Sequence, residues 1–154
     1  MGTGENMGHI NRSTIVACPP QAVFDVLSDV DRLGEFSEMT VEIRNSPGRA
    51  VRAGDRFEQV VKVLGKELES DWNVVEVNEP SLLRFEGSAP GGAAATLVER
   101  LAPEGEGTRV ELDVEYEMPL GILGDAIDAV YLHKKHEEKA EEILAKLQAL
   151  CEGA

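Results

Sequence analysis

The chain has 154 residues, of which 42% are hydrophobic, and 29 acidic residues against 15 basic ones give a formal net charge of −14. This length and composition suit a single globular domain with its own core. The negative charge repels phosphate groups, so neither nucleic acid nor an anionic membrane surface is an expected partner. No apolar stretch reaches the roughly 18–20 residues that a membrane-spanning helix needs, so stable membrane insertion is not expected.

Features at both ends of the chain bear on its compartment. Residues 1–8 are predicted to be a flexible lead before a single domain over residues 9–152. The lead lacks the basic start and apolar core of a secretory signal, so a cytoplasmic location is expected. Cys18 and Cys151 are the only cysteines, without a CxxC spacing. This favours small, partly buried thiols over a disulfide or a nucleophile.

The first third of the chain predicts one strand and two short helices. Residues 9–17 are rich in β-branched side chains without helical spacing, which indicates a strand. Pro19 and Pro20 end that strand and can open a helix, and residues 21–27 have the apolar spacing of a short amphipathic helix. Asp29 and Asp31 suit the cap of one further turn over residues 32–36.

Six strands are predicted next, separated by turns rich in Gly, Pro and Asn, at residues 40–45, 56–64, 67–77, 82–88, 94–101 and 108–118. In the last of them apolar residues alternate with charged ones, so one face is buried and the other is wet. A change of phase after Val74 predicts a bulge near Val74 and Val75. Short strands with tight turns favour an antiparallel meander.

A helix of about thirty residues is predicted over 122–151, and the economical packing lays it along the concave face of the sheet. The fold class is therefore α+β. The apolar stripe of this helix runs through Leu147, Leu144 and Ala140. Traced backward at helical spacing, it reaches His136, His133, Leu132 and Ala129. Both histidines are thus predicted on the dry side, although the apolar start of the helix leaves the direction of His133 open.

Three interpretations of His133 and His136 are open. A zinc site needs three or four protein ligands, and the pair supplies two, while the helical spacing directs Glu137 away from the stripe. No bound metal is therefore expected. The sequence also lacks a phosphate-loop motif, which would indicate a bound nucleotide, so no cofactor is expected. The histidines can be satisfied residues of a core or cavity wall. They can also serve as acid–base or ligand-contact groups, because the pKa of an unperturbed imidazole lies near neutrality.

The order of elements resembles the START-like, SRPBCC superfamily, the polyketide cyclase/dehydrase and lipid-transport group that includes the birch pollen allergen. Residues 17–33 (ACPPQAVFDVLSDVDRL) resemble its strand-to-helix opening, and residues 71–85 (DWNVVEVNEPSLLRF) look like its central hairpin. Residues 107–110 with 119–124 resemble its final strand and the start of its long helix, and residues 147–152 are similar to its closing helix. The likeness covers residues 9–152.

The resemblance implies a helix-grip fold, in which a curved antiparallel sheet surrounds a long C-terminal helix and leaves a deep cavity for an apolar ligand. Members bind sterols, lipids, polyketides, hormones or quinones, and only some are catalysts. The aromatase/cyclase branch uses a cavity arginine. In this chain the strand arginines Arg56, Arg84 and Arg100 are placed by phase on the polar face, which speaks against that chemistry.

Strand phase and the helical stripe together give the residues expected to line such a cavity: Phe57, Gln59, Val61, Trp72, Leu97, Glu99, Leu112, Val114, Tyr116, Ala129, Leu132, His133 and His136. The face of Glu99 stays open, because Thr96 and Val98 on the opposite face are also suited to burial. The candidate catalytic residues are Tyr116, His133 and His136. An apolar cleft with a few placed polar groups is typical of small-molecule sites.

Three functions are compatible with this sequence. The first is binding or carriage of a small hydrophobic ligand in the internal cavity. The second is an enzyme of cyclase, dehydratase or isomerase type that uses the cavity histidines or Tyr116. The third is a module that binds a protein partner, such as a chaperone cofactor, and a collapsed core with an exposed apolar patch would favour it. The oligomeric state is left open.

Overall fold

The computed structural model describes residues 7–63, 65–118 and 129–153. Within these ranges the elements follow one another in the predicted order of a strand, short helices, six strands and a long helix. Their bounds are β1 (Met7–Val16), α1 (Pro20–Leu27), a 3-10 turn (Val30–Arg32), α2 (Leu33–Phe36), β2 (Thr40–Arg44), β3 (Arg56–Val63), β4 (Lys66–Asn78), β5 (Leu82–Ala89), β6 (Ala93–Glu104), β7 (Gly107–Glu117) and α3 (Ala129–Glu152).

The seven strands form one antiparallel sheet in the order β1-β7-β6-β5-β4-β3-β2. Neighbours from β2 to β7 are consecutive in the chain, and β1 adds itself to the free edge of β7. The predicted meander is thereby confirmed. The predicted bulge is confirmed as well, since the pairing of β4 with β5 shifts register between Val74 and Glu76. β1 begins at Met7, two residues before the predicted strand.

The two short helices close one end of the sheet. Pro20 occupies the first turn of α1, and the apolar residues of that helix, which include Val23 and Phe24, are buried. The carboxylate of Asp29 accepts a hydrogen bond from the backbone N–H of Asp31 at 3.2 Å and caps the 3-10 turn, whereas α2 follows Arg32 without the side-chain cap predicted for residues 32–36. Phe36 of α2 is buried as well. These segments complete the core at the end of the sheet opposite the start of β1.

Helix α3 packs along the concave face of the sheet and runs parallel to β1, to which side chains tie it at successive levels. Arg12 donates to Glu137 and to Glu141, and the Gln148 amide donates to the carbonyl oxygen of Ile15 at 3.0 Å. The stripe formed by Leu132, Ala140, Leu144 and Leu147 is buried, as its spacing predicts. The predicted helix start at residue 122 lies outside the described residues.

The two cysteines meet where the end of α3 reaches the segment after β1. Both are free thiols, with Cys18 half-buried and Cys151 buried. The thiol of Cys18 donates to the backbone carbonyl of Cys151 at 3.0 Å. Burial, followed by the nearby Cys18, raises the pKa of the Cys151 thiol. These thiols therefore act as packing groups between two chain segments.

Candidate functional site: a cavity between the sheet and the C-terminal helix

A cavity of about 230 Å³ lies between the concave face of the sheet and α3. A single buried water needs about 10–15 Å³ of such space, so the cavity has room for a small organic molecule. Its wall is mainly aliphatic and aromatic and includes Ile10, Leu27, Val30, Leu33, Phe36, Met39, Phe57, Val61, Val63, Phe85, Leu97, Leu112, Val114, Met118 and Ile143.

One row of directly paired residues makes the space possible. Across neighbouring strands, Trp72 pairs with Gly87, Gly87 with Ala95, Ala95 with Tyr116, and Tyr116 with Gly8. A Cβ atom on Gly87 would lie 2.5 Å from the indole ring of Trp72, and a Cβ on Gly8 would lie 2.5 Å from the hydroxyl oxygen of Tyr116. Each aromatic side chain therefore lies flat over a glycine, and the small side chain of Ala95 between them leaves the cavity open.

Two polar side chains of the wall are satisfied within the protein. The Gln59 amide donates to the hydroxyl of Thr40 at 2.8 Å. The indole N–H of Trp72 donates to the Ser70 hydroxyl at 2.9 Å, and that hydroxyl donates to the backbone carbonyl of Gln59 at 2.8 Å. These bonds fix the orientation of both side chains without using a ligand.

Tyr116 meets both histidines of α3. Its hydroxyl lies 3.0 Å from Nδ1 of His133, and its ring packs edge-on against His136 with the ring centroids 4.5 Å apart. Although the helical spacing directs Glu137 away from the stripe, its carboxylate lies 3.4 Å from Nε2 of His133. The reason is Arg12, whose guanidinium holds that carboxylate at 3.0 Å. A chain of polar contacts thus runs from β1 through α3 to the cavity wall.

The environment keeps Tyr116 and His136 uncharged at neutral pH. Burial, with the nearby His133 acting in the same direction, lowers the pKa of His136 to about 4. Burial, followed by the carboxylate of Glu137, raises the pKa of the Tyr116 phenol. The pair therefore offers a neutral imidazole and a neutral phenol to the cavity.

Glu99 is the one carboxyl group in the described wall of the cavity. Its residue is 6% exposed, and its direct cross-strand partners are Leu83 and Leu112. Among the described residues none forms a hydrogen bond or ion pair with it. Burial alone raises the pKa of Glu99 to about 8, so the group is predominantly a neutral carboxylic acid at pH 7.

The structure brings most of the predicted site residues to the cavity wall, namely Phe57, Gln59, Val61, Trp72, Leu97, Glu99, Leu112, Val114, Tyr116 and His136. Leu132 instead lies in the core at 1% exposure. His133 lies behind Tyr116, with its side chain 36% exposed. The side chain of Ala129 lies outside the described residues. Whether any of these residues binds a ligand stays a prediction.

Sequence reasoning missed Arg12, although a signal was present. Arg56, Arg84 and Arg100 are exposed, as their strand phase predicts. Arg12 pairs with Leu112 and shares the inner face of β1 with Ile10, which lines the cavity. The alternation of Ile10, Arg12, Thr14 and Val16 could have placed it there. Its guanidinium binds Glu137 and Glu141 of α3, so it supports the wall.

The described part of the chain contains no group of side chains arranged to bind a metal ion. Over residues 7–63, 65–118 and 129–153, no group of three or more His, Cys, Asp or Glu side chains could hold an ion. His133 and His136 each contact Tyr116. Within the described ranges, no helix combines the length and hydropathy needed to cross a membrane.

A seven-stranded antiparallel sheet gripping a long C-terminal helix around a cavity is the START-like, helix-grip class. The chain belongs to the polyketide cyclase / dehydrase and lipid transport family, whose model matches residues 7–152. A comparison with curated proteins finds no significant sequence match.

Solved structures share the fold at low identity. TTHA0849 from Thermus thermophilus is 21% identical with a TM-score of 0.75, over 95% of this chain and 98% of that one. The di-domain ARO/CYC StfQ from the steffimycin biosynthetic pathway is 14% identical with a TM-score of 0.76, over 98% of this chain and 53% of that one. A START superfamily protein from Mycobacterium smegmatis is 14% identical with a TM-score of 0.72, over 94% of this chain and 97% of that one.

Proposed function

We propose that the protein binds or carries a small hydrophobic ligand in the cavity between the sheet and α3. The observation that carries the proposal is the open space of about 230 Å³ inside a mainly apolar wall. Protein interiors are normally close-packed, and unfilled apolar space costs stability in proportion to its volume. A ligand that fills this space recovers the lost contacts. Residues 9–152 would then act as one ligand-binding domain, in the cytoplasm.

A module that binds a protein partner, the third function predicted from the sequence, would be favoured by a collapsed core without a cavity. The row of small residues under Trp72 and Tyr116 has the opposite effect, because it maintains space next to Ala95. A side chain as large as leucine at that position would occupy part of the space. The cavity therefore favours an internal ligand over an external partner.

Native mass spectrometry of gently purified protein, compared with the denatured mass, tests the proposal directly. We expect a reproducible extra mass that is released on denaturation, and its value would identify the chemical class of the ligand. A clean mass of the bare chain, with no gain after incubation with mixed lipids and other apolar compounds, would contradict the proposal.

Trp72 supplies a second readout, because it is the single tryptophan of the chain and lines the cavity. Titration with an apolar ligand should change its fluorescence. Ala95→Leu should weaken this binding by about tenfold or more because the new side chain competes for the space. Ala94→Leu is the matched control, since Ala94 precedes it on the exposed face of β6. Equal affinities in the two variants would place the ligand elsewhere.

A second candidate function is proton-transfer catalysis of cyclase, dehydratase or isomerase type. The observation in its favour is the contact of 3.0 Å between the Tyr116 hydroxyl and His133, beside an open cavity. The structural likeness to the ARO/CYC StfQ is compatible with it. Incubation of the recovered ligand with fresh protein, followed by mass spectrometry, tests it. A product that wild type forms and Tyr116→Phe does not would support catalysis, and an unchanged ligand would leave carriage.

A further inference from the structure

Three polar side chains of the cavity wall have no hydrogen-bond partner among the described residues: Glu99 on β6, His136 on α3 and Ser37 directly after α2. The other polar wall groups, Gln59, Trp72, Tyr116 and Lys139, each have one. A buried polar group without a partner costs roughly 1–3 kcal/mol. Since Glu99 is only 6% exposed and lines the cavity, a bound ligand can satisfy it in place of bulk water.

Glu99 and His136 lie at different levels of the cavity. His136 packs on Tyr116, whereas Glu99 pairs with Leu112, which is four residues before Tyr116 on the same strand. Four residues of strand span roughly 13 Å. Ala140 of α3, one turn after His136, also lines the cavity. Its side chain is small and apolar, so it leaves space between the two levels.

We propose that the ligand is an uncharged, elongated molecule with a hydrogen-bond-accepting oxygen, such as a carbonyl, near each end, one bound by Glu99 and the other by His136. The wall between these two groups, which includes Leu97 and Val114, would contact an apolar middle section. This inference rests on the proposed function and adds to it the chemical class of the ligand.

The charge state of the wall supports an uncharged ligand. At neutral pH, burial keeps Glu99 protonated and His136 deprotonated, with pKa values of about 8 and about 4. Both groups then carry an N–H or O–H that can donate to an oxygen. Of the other titratable groups that line the cavity, Tyr116 is neutral because burial raises its pKa, and the ammonium of Lys139 is paired with the Glu142 carboxylate at 3.5 Å.

Arg12 lies in the same cross-strand row as Glu99, beyond Leu112, but its guanidinium is engaged by Glu137 and Glu141. It is therefore not free to neutralise an anionic ligand. An anion would also lose its hydration inside a protein of net charge −14. A neutral molecule needs no cationic partner and loses less hydration on entering the cavity.

The test uses four probes with nine carbons each: a diketone with a carbonyl near each end, the monoketone, the carboxylate and the amine. Affinities are measured by calorimetry and by Trp72 fluorescence. We expect the diketone to bind about tenfold more tightly than the monoketone, as one extra buried hydrogen bond implies. The carboxylate and the amine should bind more weakly than the monoketone.

Variants at the two positions identify the groups responsible. Glu99→Gln keeps a neutral donor and should retain the preference for the diketone, whereas Glu99→Leu should reduce its affinity to that of the monoketone. His136→Leu should do the same from the other end. As the pH rises through about 8, wild type should lose the preference because ionised Glu99 cannot donate, and Glu99→Gln should keep it.

The outcomes separate this inference from the proposed function. If the ketones bind but the diketone is not preferred, or if Glu99→Leu leaves the preference intact, the inference fails and the carrier function stands. If the amine binds more tightly than the monoketone and Glu99→Gln abolishes that difference, Glu99 is a site for a cation and the inference is wrong. If no probe binds and native mass spectrometry shows no bound ligand, both proposals fail.

Discussion

The hydroxyl of Tyr116 lies 3.0 Å from Nδ1 of His133, and this contact joins the last strand to the first described turn of α3. Nε2 of the same imidazole faces the Glu137 carboxylate at 3.4 Å. In the tautomer that carries its hydrogen on Nε2, facing the carboxylate, Nδ1 accepts a hydrogen bond from the phenol. Burial, followed by the carboxylate of Glu137, raises the pKa of the Tyr116 phenol, so the phenol keeps its proton at neutral pH.

Tyr116→Phe removes this hydrogen bond while keeping the ring over Gly8 and against His136. We expect a loss of about 0.5–1.5 kcal/mol in the free energy of unfolding, because the replaced bond is a single partly buried one. Urea unfolding measures it. His133→Phe and the double variant complete a mutant cycle, and additive losses in the two single variants would show that the contact has no energetic coupling.

The orientation of Trp72 depends on the glycine beneath it. Gly87→Ala would put a methyl group 2.5 Å from the indole, so the ring must move. We expect a shifted tryptophan emission maximum and a loss of about 1–3 kcal/mol in stability. Gly34→Ala is the control, because a Cβ atom there meets nothing within 4 Å. Emission spectra that coincide in both variants would mean that Trp72 is not constrained by Gly87.

Glu99 should make the protein less stable as the pH rises. Burial raises its pKa from 4.5 in the unfolded chain to about 8 in the folded protein. The folded state then holds the extra proton between these values, so stability is full below about pH 4.5 and falls as the pH approaches 8. The full effect is on the order of a few kcal/mol. Urea unfolding should show a smaller decline over this range for Glu99→Gln, and parallel curves would refute the assignment.

His136 should make the protein less stable as the pH falls, which is the opposite of the effect of Glu99. Burial lowers its pKa from 6.5 to about 4, so the unfolded chain binds the extra proton between these values. Its contribution to stability is present above about pH 6.5 and is lost as the pH falls toward 4. His136→Leu should remove that loss, with a flatter acid limb in thermal unfolding. In the comparison variant His9→Leu, which removes only the exposed pair with Asp113, the loss that His136 contributes should persist.

The sequence predicted the sheet, its meander and the long helix because each depends on local periodicity. Phe57 and Val114 reached the cavity wall as predicted, since simple alternation decides their face. Alternation could not decide for β6, where Val98 and Glu99 are both buried although they point to opposite faces. The placement of Glu99 depends on which side the helix covers, and the sequence pattern of β6 carries no information about that.

The positions of Arg12 and His133 were harder to predict for a related reason. Arg12 is directed inward by its pairing with Leu112, and its partners lie on a helix at the other end of the chain. His133 lies on the predicted stripe, but Tyr116 stands between it and the space of the cavity. Contacts between residues so distant in sequence are not encoded in the period of either element.

Leu132 and Leu97 provide a final test, because the sequence predicts both as cavity residues and the structure separates them. Leu132 is 1% exposed in the core, whereas Leu97 lines the existing cavity. Leu132→Ala creates a new void in packed surroundings and should cost about 2–5 kcal/mol, whereas Leu97→Ala enlarges a space already present and should cost about 1–2 kcal/mol. Urea unfolding gives both values.

Ligand titration through Trp72 should rank the same two variants in the reverse order. Leu97→Ala removes a surface that contacts the ligand and should weaken binding several-fold, while Leu132→Ala should leave the affinity unchanged under conditions where the variant is folded. A loss of affinity in Leu132→Ala equal to that in Leu97→Ala would mean that ligand binding opens the cavity toward α3 and exposes Leu132. The original prediction for Leu132 would then hold for the bound state.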